Sequence, residues 1–171
     1  LTLEEMALYG GRGRGVVTLD GRGQAPATTA NLMLEGIAAQ PLLKDALGFE
    51  WLEGQSAIAV ALAGQGVSER QIVATLNGKV DLATTNGTID AIDVAKILRG
   101  LEQGRFSGLR MAAGDKTPFS ELAGTFNIAN GVADNQDLRL VSPNVRVTGA
   151  GSFNLPARSL DYTVRPKFSA L

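Results

Sequence analysis

The sequence predicts a mainly β fold of the α+β class, in which an antiparallel sheet is accompanied by about three short helices. Apolar and polar residues alternate in short runs through most of the 171 residues, as in strands with one buried face. The chain also contains 21 glycines, about 12% against a usual ~7%. Many of them fall between those runs, where tight turns or strand bends require glycine.

The first third contains three predicted strands and one helix. The strands cover residues 3–9, 15–20 and 28–35. Pro41 then indicates a helix start, and Gly48 suits the left-handed position that follows a last helical turn. Four residues between Pro41 and Gly48 share one apolar helical face: Leu42, Leu43, Ala46 and Leu47.

The next predicted strand, residues 51–62, is apolar on both faces. Small residues occupy one of the two faces: Ala57, Ala59 and Ala61. A strand that is apolar on both faces is normally covered on both, so we expect a helix or a neighbouring layer over these alanines.

Two further helices and a hairpin follow. Ser68 and Gln71 have the spacing of a capping box, in which Gln71 reaches back to the cap, and Asn77-Gly78 is predicted to stop that helix. The Asn86-Gly87 pair predicts a hairpin between residues 79–83 and 88–92. Asp93 can cap a third helix that ends near Gly104.

Residues 114–118 indicate a surface turn, and four strands follow as a meander at 119–129, 137–141, 145–155 and 159–165. We treat residues 1–171 as one domain with possible sub-parts, a mixed strand and helix part at 1–106 and a β-meander at 107–171. The chain begins at Leu1 without the charged region, apolar region and cleavage signal of a leader, so we expect a segment of a longer protein.

The amino-acid composition excludes most kinds of catalytic site. There is no Cys and no His, so thiol nucleophiles, imidazole bases and most zinc sites are excluded, and we predict neither a metal nor a cofactor. The 16 basic and 17 acidic residues nearly balance, which gives no electrostatic reason to expect nucleic acid as a partner.

Two weaker motifs have simpler structural explanations. The glycine and arginine alternation at 11–15 lacks the spacing of a phosphate loop and precedes a strand, so we interpret it as a turn or a glycine-kinked strand. Asp90 and Asp93 could be drawn as the carboxylate pair of a hydrolase, but a turn residue and a helix cap explain them better. We therefore predict that the protein is not an enzyme.

A series of turn and strand motifs occurs in one order along nearly the whole chain. The series comprises residues 8–15, 42–43, 52–54, 62–66, 76–78, 86–89, 93–94, 97–98, 119–122, 128–133, 138–140, 147–151 and 160–161. In this order it resembles the C-terminal region of the AsmA family. Two positions depart from the pattern: Ala91 stands where a second glycine is expected, and Asn154 replaces an acidic residue before Leu155.

The resemblance implies a curved antiparallel β-sheet, groove-like or taco-like, with the three short helices covering one end. It also implies a periplasmic domain whose parent protein is anchored in the inner membrane through a segment outside these residues. The implied function is to carry phospholipid or other acyl chains between the inner and outer membrane for outer-membrane biogenesis, without catalytic residues.

One face of the last three predicted strands is apolar and supplies the candidate lipid-binding residues. These are Leu138, Leu140, Val145, Val147, Phe153, Leu155, Tyr162 and Val164. A sheet with one apolar face usually buries it, so an ordinary core is the competing interpretation. The alternative function is a non-enzymatic envelope module that pairs its sheet edge with other envelope proteins and assists outer-membrane protein assembly.

Overall fold

The structure, a computed structural model, describes residues 1–48, 50–105 and 112–169. Within these ranges, nine strands form one antiparallel sheet and three helices connect some of them, which confirms the predicted fold class. The strands are β1 (Thr2–Leu8), β2 (Gly11–Asp20), β3 (Ala27–Ala38), β4 (Leu52–Gln65), β5 (Asn77–Asp90), β6 (Lys116–Ala129), β7 (Val132–Val141), β8 (Val145–Asn154) and β9 (Ser159–Phe168). The helices are α1 (Ala39–Leu47), α2 (Glu69–Ala74) and α3 (Val94–Glu102).

Each strand pairs with the strand that follows it in sequence, so the order across the sheet is β1 to β9 without a crossover. Successive connections of such a meander alternate between the two ends of the sheet. As a result α1 and α3, which follow β3 and β5, lie at one end, and α2, which follows β4, lies at the other. The expectation that all three helices cover one end therefore holds for two of them.

The packed core lies under α1 and α3. Its fully buried residues are Ala39, Leu52, Phe119, Leu140, Val145 and Val147. Leu43 of α1 and Val94, Ala95 and Leu98 of α3 pack against this cluster. The amphipathic helices thus bury the first or last apolar residues of the strands at this end, which we call the helical end.

The sequence signals for α1 and α3 are confirmed. Gly48 adopts the left-handed conformation with φ of 76° and its N–H donates to the carbonyl of Lys44, which ends α1. The Asp93 carboxylate accepts from the N–H of Lys96 at 2.9 Å, as an N-cap does. Gly104, beyond the last turn of α3, has φ of 70°.

The boundaries of α2 differ from the prediction. The Ser68 hydroxyl accepts from the N–H of Gln71 at 3.3 Å, but the Gln71 side chain accepts from Val67, one residue before the cap. The helix ends at Ala74, and Asn77 and Gly78 already belong to β5. Asn77-Gly78 therefore does not end the helix, contrary to our prediction. Gly78, with φ of 139°, is glycine for another reason: it lies against the backbone of Ala61 in the neighbouring strand.

The predicted hairpin at Asn86-Gly87 is wrong. Both residues lie inside β5, which runs without interruption to Asp90 and pairs with β4 on one side and β6 on the other. Asn86 does adopt the left-handed conformation, with φ of 50°, but the register shifts there by one residue against β4. The pair therefore makes a β-bulge, because a strand with two neighbours cannot turn back on itself.

Two smaller expectations have different outcomes. The glycine and arginine segment at 11–15 is part of β2, and Gly15 has a φ of 152°, which L side chains rarely adopt, as the glycine-kinked strand interpretation predicted. The predicted turn at 114–118 is shorter, since β6 begins at Lys116 and includes Pro118. Residues 106–111, which precede this turn, lie outside the described residues.

Ala91 occupies a position that favours glycine. It follows β5 with φ of 67°, in the left-handed region that an L side chain disfavours by roughly 1–2 kcal/mol. The structure therefore gives the physical reason why glycine is expected there.

Candidate functional site

The strand register lines up apolar side chains in rows that run across the strands, on the face that the helices partly cover. We call the middle three rows the trough floor. The row nearest α2 is Ala30, Leu62, Gly78, Ile128, Ala133, Phe153 and Leu160. The central row is Leu32, Val60, Val80, Phe126, Asn135, Gly151 and Tyr162. The row nearest the helical end is Leu34, Ile58, Leu82, Gly124, Leu138, Gly149 and Val164.

The helices form two walls beside this floor. At the helical end, α1 and α3 pack on the core. At the other end, α2 approaches the sheet closely because Gly64 has no side chain: a Cβ there would lie 3.0 Å from the carbonyl oxygen of Ile72. The floor between the walls crosses the strands from β3 to β9, about 29 Å at the usual spacing of ~4.8 Å between strands.

The floor is open to solvent. Its large apolar side chains are half-buried or exposed, among them Val60 and Val80 in the centre and Val164 at 57% exposure on β9. Among the described residues, the main contacts of the helices are with β3, β4, β6 and β9, and no strand packs over another. A contiguous apolar surface that stays accessible is a candidate interaction site.

The eight candidate residues divide into three groups. Leu138, Phe153, Tyr162 and Val164 lie on the trough floor. Leu140, Val145 and Val147 lie in the packed core under α3, with exposures of 3%, 1% and 8%. Leu155 lies in the turn after β8, where its N–H donates to the carbonyl of Gly131.

Sequence reasoning missed the part of the floor that β3, β4, β5 and β6 supply. The period-two signal was present in Leu32 and Leu34, and in Ile58, Val60 and Leu62. We interpreted β4 as covered on both faces, but its alanine face carries no layer among the described residues, and Ala57 and Ala61 are exposed. On this face Ala57 and Ala59 line a surface depression together with Met33, Asp81 and Arg139.

A polar network interrupts the floor at β7 to β9. Asn135 is fully buried; its amide donates to the carbonyl of Thr125 at 2.9 Å and to the Asp137 carboxylate at 3.0 Å. The Tyr162 hydroxyl donates to the Asn135 side-chain oxygen at 2.5 Å. Burial, and secondarily the Asp137 charge, raise the pKa of Tyr162 above its usual value, so this hydroxyl stays protonated and donates at neutral pH.

Glycines and aromatic rings hold Tyr162 in that position. Its ring lies over Gly149 and Gly151, where an added Cβ would come within 2.8 Å and 2.7 Å of ring atoms. Phe153 contacts it with ring centroids 5.3 Å apart, and Phe126 follows at 6.0 Å from Phe153. This aromatic cluster fixes the shape of the floor at its β9 side.

We predict that Tyr162→Phe destabilises the fold by about 1–3 kcal/mol, because it leaves the buried oxygen of Asn135 without a donor. Chemical denaturation measures the change. Tyr9→Phe is the matched control: its hydroxyl also donates to a side-chain oxygen, that of the Asp45 carboxylate at 2.7 Å, but the pair is exposed and its loss should have little effect. Equal effects of the two variants would contradict the role given to Asn135.

The acidic residues singled out from the sequence have structural roles. Asp90 forms an ion pair with Lys116 at 3.2 Å, and Asp93 caps α3. Across residues 1–48, 50–105 and 112–169, no group of three or more acidic side chains is placed to hold a metal ion. Within the same ranges, no helix has the length and apolar content needed to cross a membrane.

The fold and site define a class of protein: an open antiparallel meander with an apolar trough between helical walls. The AsmA family model matches residues 1–138, so the chain belongs to the AsmA family. No curated protein and no solved structure matches the chain. Membership fits a role in the cell envelope and in lipid transport in general, and proteins of this family are not known as enzymes.

Proposed function

We propose that this chain is the periplasmic groove domain of an inner-membrane-anchored protein and that its trough carries phospholipid acyl chains between the inner and outer membrane. The observation that supports this most directly is the trough floor itself. Apolar side chains continue across seven strands, lie between two helical walls and remain accessible. Acyl chains lying across the strands would cover this surface.

The physical chemistry suits transport. Burial of each CH₂ group contributes about 0.8 kcal/mol, so a sixteen-carbon chain in full contact gains roughly 10 kcal/mol. The contact is not directional, so the chain can move along the rows without breaking specific bonds. Such a mechanism needs no catalytic side chain.

The edges of the sheet support this function over pairing with a partner strand. In β9, Pro166 has no N–H to donate and stands between the charged residues Arg165 and Lys167. In β1, the register shifts between Leu3 and Met6. Proline, charges and bulges are features that oppose the addition of a further strand.

Saturable binding of a fluorescent fatty acid by the purified chain tests the proposal, together with mass spectrometry of lipids that purify with it from membranes. We expect the fluorescent fatty acid to bind to one class of sites, from which unlabelled phospholipid displaces it. Absence of both saturable binding and bound lipid would refute the proposal.

A further inference from the structure

A basic cluster lies on the outer face of the sheet at the helical end. Arg146 of β8 stands directly opposite Lys167 of β9, and Arg165 is the diagonal neighbour of Arg146. Arg139 of β7 is also diagonal to Arg146, but Glu121 neutralises it through an ion pair. The cluster of interest is therefore Arg146, Arg165 and Lys167, all of them exposed.

The cluster has no neutralising partner in the described part of the chain. The residues opposite and diagonal to its members in the register are Val141, Thr148, Ala150 and Arg139, and none is acidic. None of the three forms an ion pair within the described residues, although seven such pairs occur elsewhere there. Like charges directly opposite each other destabilise a sheet, so stability gives no reason for this arrangement.

Arg146 also lines a cavity of about 480 Å³ at the same end of the sheet. The lining includes polar side chains of Asn86, Ser120, Ser142 and Ser169. The hydroxyls of Ser120 and Ser142 donate to the carbonyls of Val141 and Pro118. The Ser169 hydroxyl oxygen is buried and has no hydrogen-bond partner among the described residues.

A cavity lined by an unpaired guanidinium, beside two more cations, has charged donors of the kind that an oxyanion requires. Arginine in particular presents a planar fork that matches phosphate oxygens.

We propose that this cavity, which we call the rim site, binds a phosphate group, with Arg146 as the main ligand and Lys167 and Arg165 adding charge. Arg146, Arg165, Lys167 and Ser169 all lie outside the residues 1–138 that match the family model. The inference depends on the proposed function only in that a phospholipid would be the natural source of the phosphate.

Titration of the purified chain with inorganic phosphate at constant ionic strength, followed by NMR or thermal shift, tests the rim site. Arg146→Gln should weaken phosphate binding at least about tenfold, the effect of losing one charged hydrogen bond. Without phosphate it should slightly raise the melting temperature, because it relieves repulsion with Lys167. Arg158→Gln, the same charge change in the turn before β9 at the opposite end of that strand, should do neither.

A second arm uses phosphatidylglycerol vesicles in place of inorganic phosphate. If Arg146→Gln weakens binding of both probes, the site recognises the phosphate group itself; if only vesicle binding weakens, it recognises the lipid head group. If Arg146→Gln and Arg158→Gln behave alike with both probes, the proposal is overturned. Failure of the trough is a separate result, since a chain that binds no fatty acid can still bind phosphate at the rim.

Discussion

Val60→Asp is expected to weaken fatty-acid binding at least about tenfold, because acyl chains would have to desolvate a carboxylate in the middle of the trough floor. Val60 lies in the central row between Leu32 and Val80 and is half-buried. The variant places one charge in the central row of the trough floor, where a bound acyl chain would contact apolar side chains on both sides. Fluorescence titration with the labelled fatty acid measures the effect.

Ala61→Asp is the matched control for this experiment. Ala61 is the next residue of the same strand, points to the opposite face, is exposed, and stands opposite Lys79. The two variants share the new residue type and the strand, so they share any loss of strand propensity. If both weaken binding equally while both remain folded by thermal unfolding, the apolar face is not where acyl chains bind.

Gly87→Val is expected to destabilise the fold by about 3 kcal/mol or more, the upper range for overpacking. A Cβ at this position would lie 2.1 Å from the carbonyl oxygen of Glu53 and 2.4 Å from the ring of Phe119. Phe119 is 4% exposed and belongs to the core under α1 and α3, so it has no free space to move into. Urea denaturation measures the loss.

Gly23→Val provides the comparison for that prediction. Gly23 lies in the connection between β2 and β3, and the nearest atom to an added Cβ is 3.6 Å away. We expect a change within about 0.5 kcal/mol, as for an ordinary surface substitution. A similarly small effect at Gly87 would show that the bulge can relax and that its close packing does not stabilise the fold.

Much of the fold could be predicted because the signals are local. The N-cap at Asp93, the left-handed glycine at Gly48 and the alternation in β7 to β9 each depend on residues within a few positions, so the same physics operates with or without the rest of the sheet. The Asn86-Gly87 signal failed for the opposite reason. The left-handed conformation of Asn86 depends on the local residues. Whether it makes a hairpin or a bulge depends on whether β4 and β6 continue beside this part of β5, and these pairings are long-range.

The candidate site was predicted in part for a related reason. Alternation showed that Leu138, Leu140, Val147 and Tyr162 share one face, and the register confirms this. Alternation contains no information about position along the strand relative to the helices, so it could not separate Leu140, Val145 and Val147, which α3 covers, from residues on the open floor.

The sequence by itself determined the two-faced antiparallel strands, the helix caps and the absence of thiol and imidazole chemistry, because composition and short-range periodicity contain that information. Only the tertiary structure decided that the apolar rows of seven strands join into one trough between helical walls and that Arg146 lies opposite Lys167 on the outer face at the helical end. Both depend on register and on the end of the sheet at which each connection lies, and these are properties of pairs of strands distant in sequence.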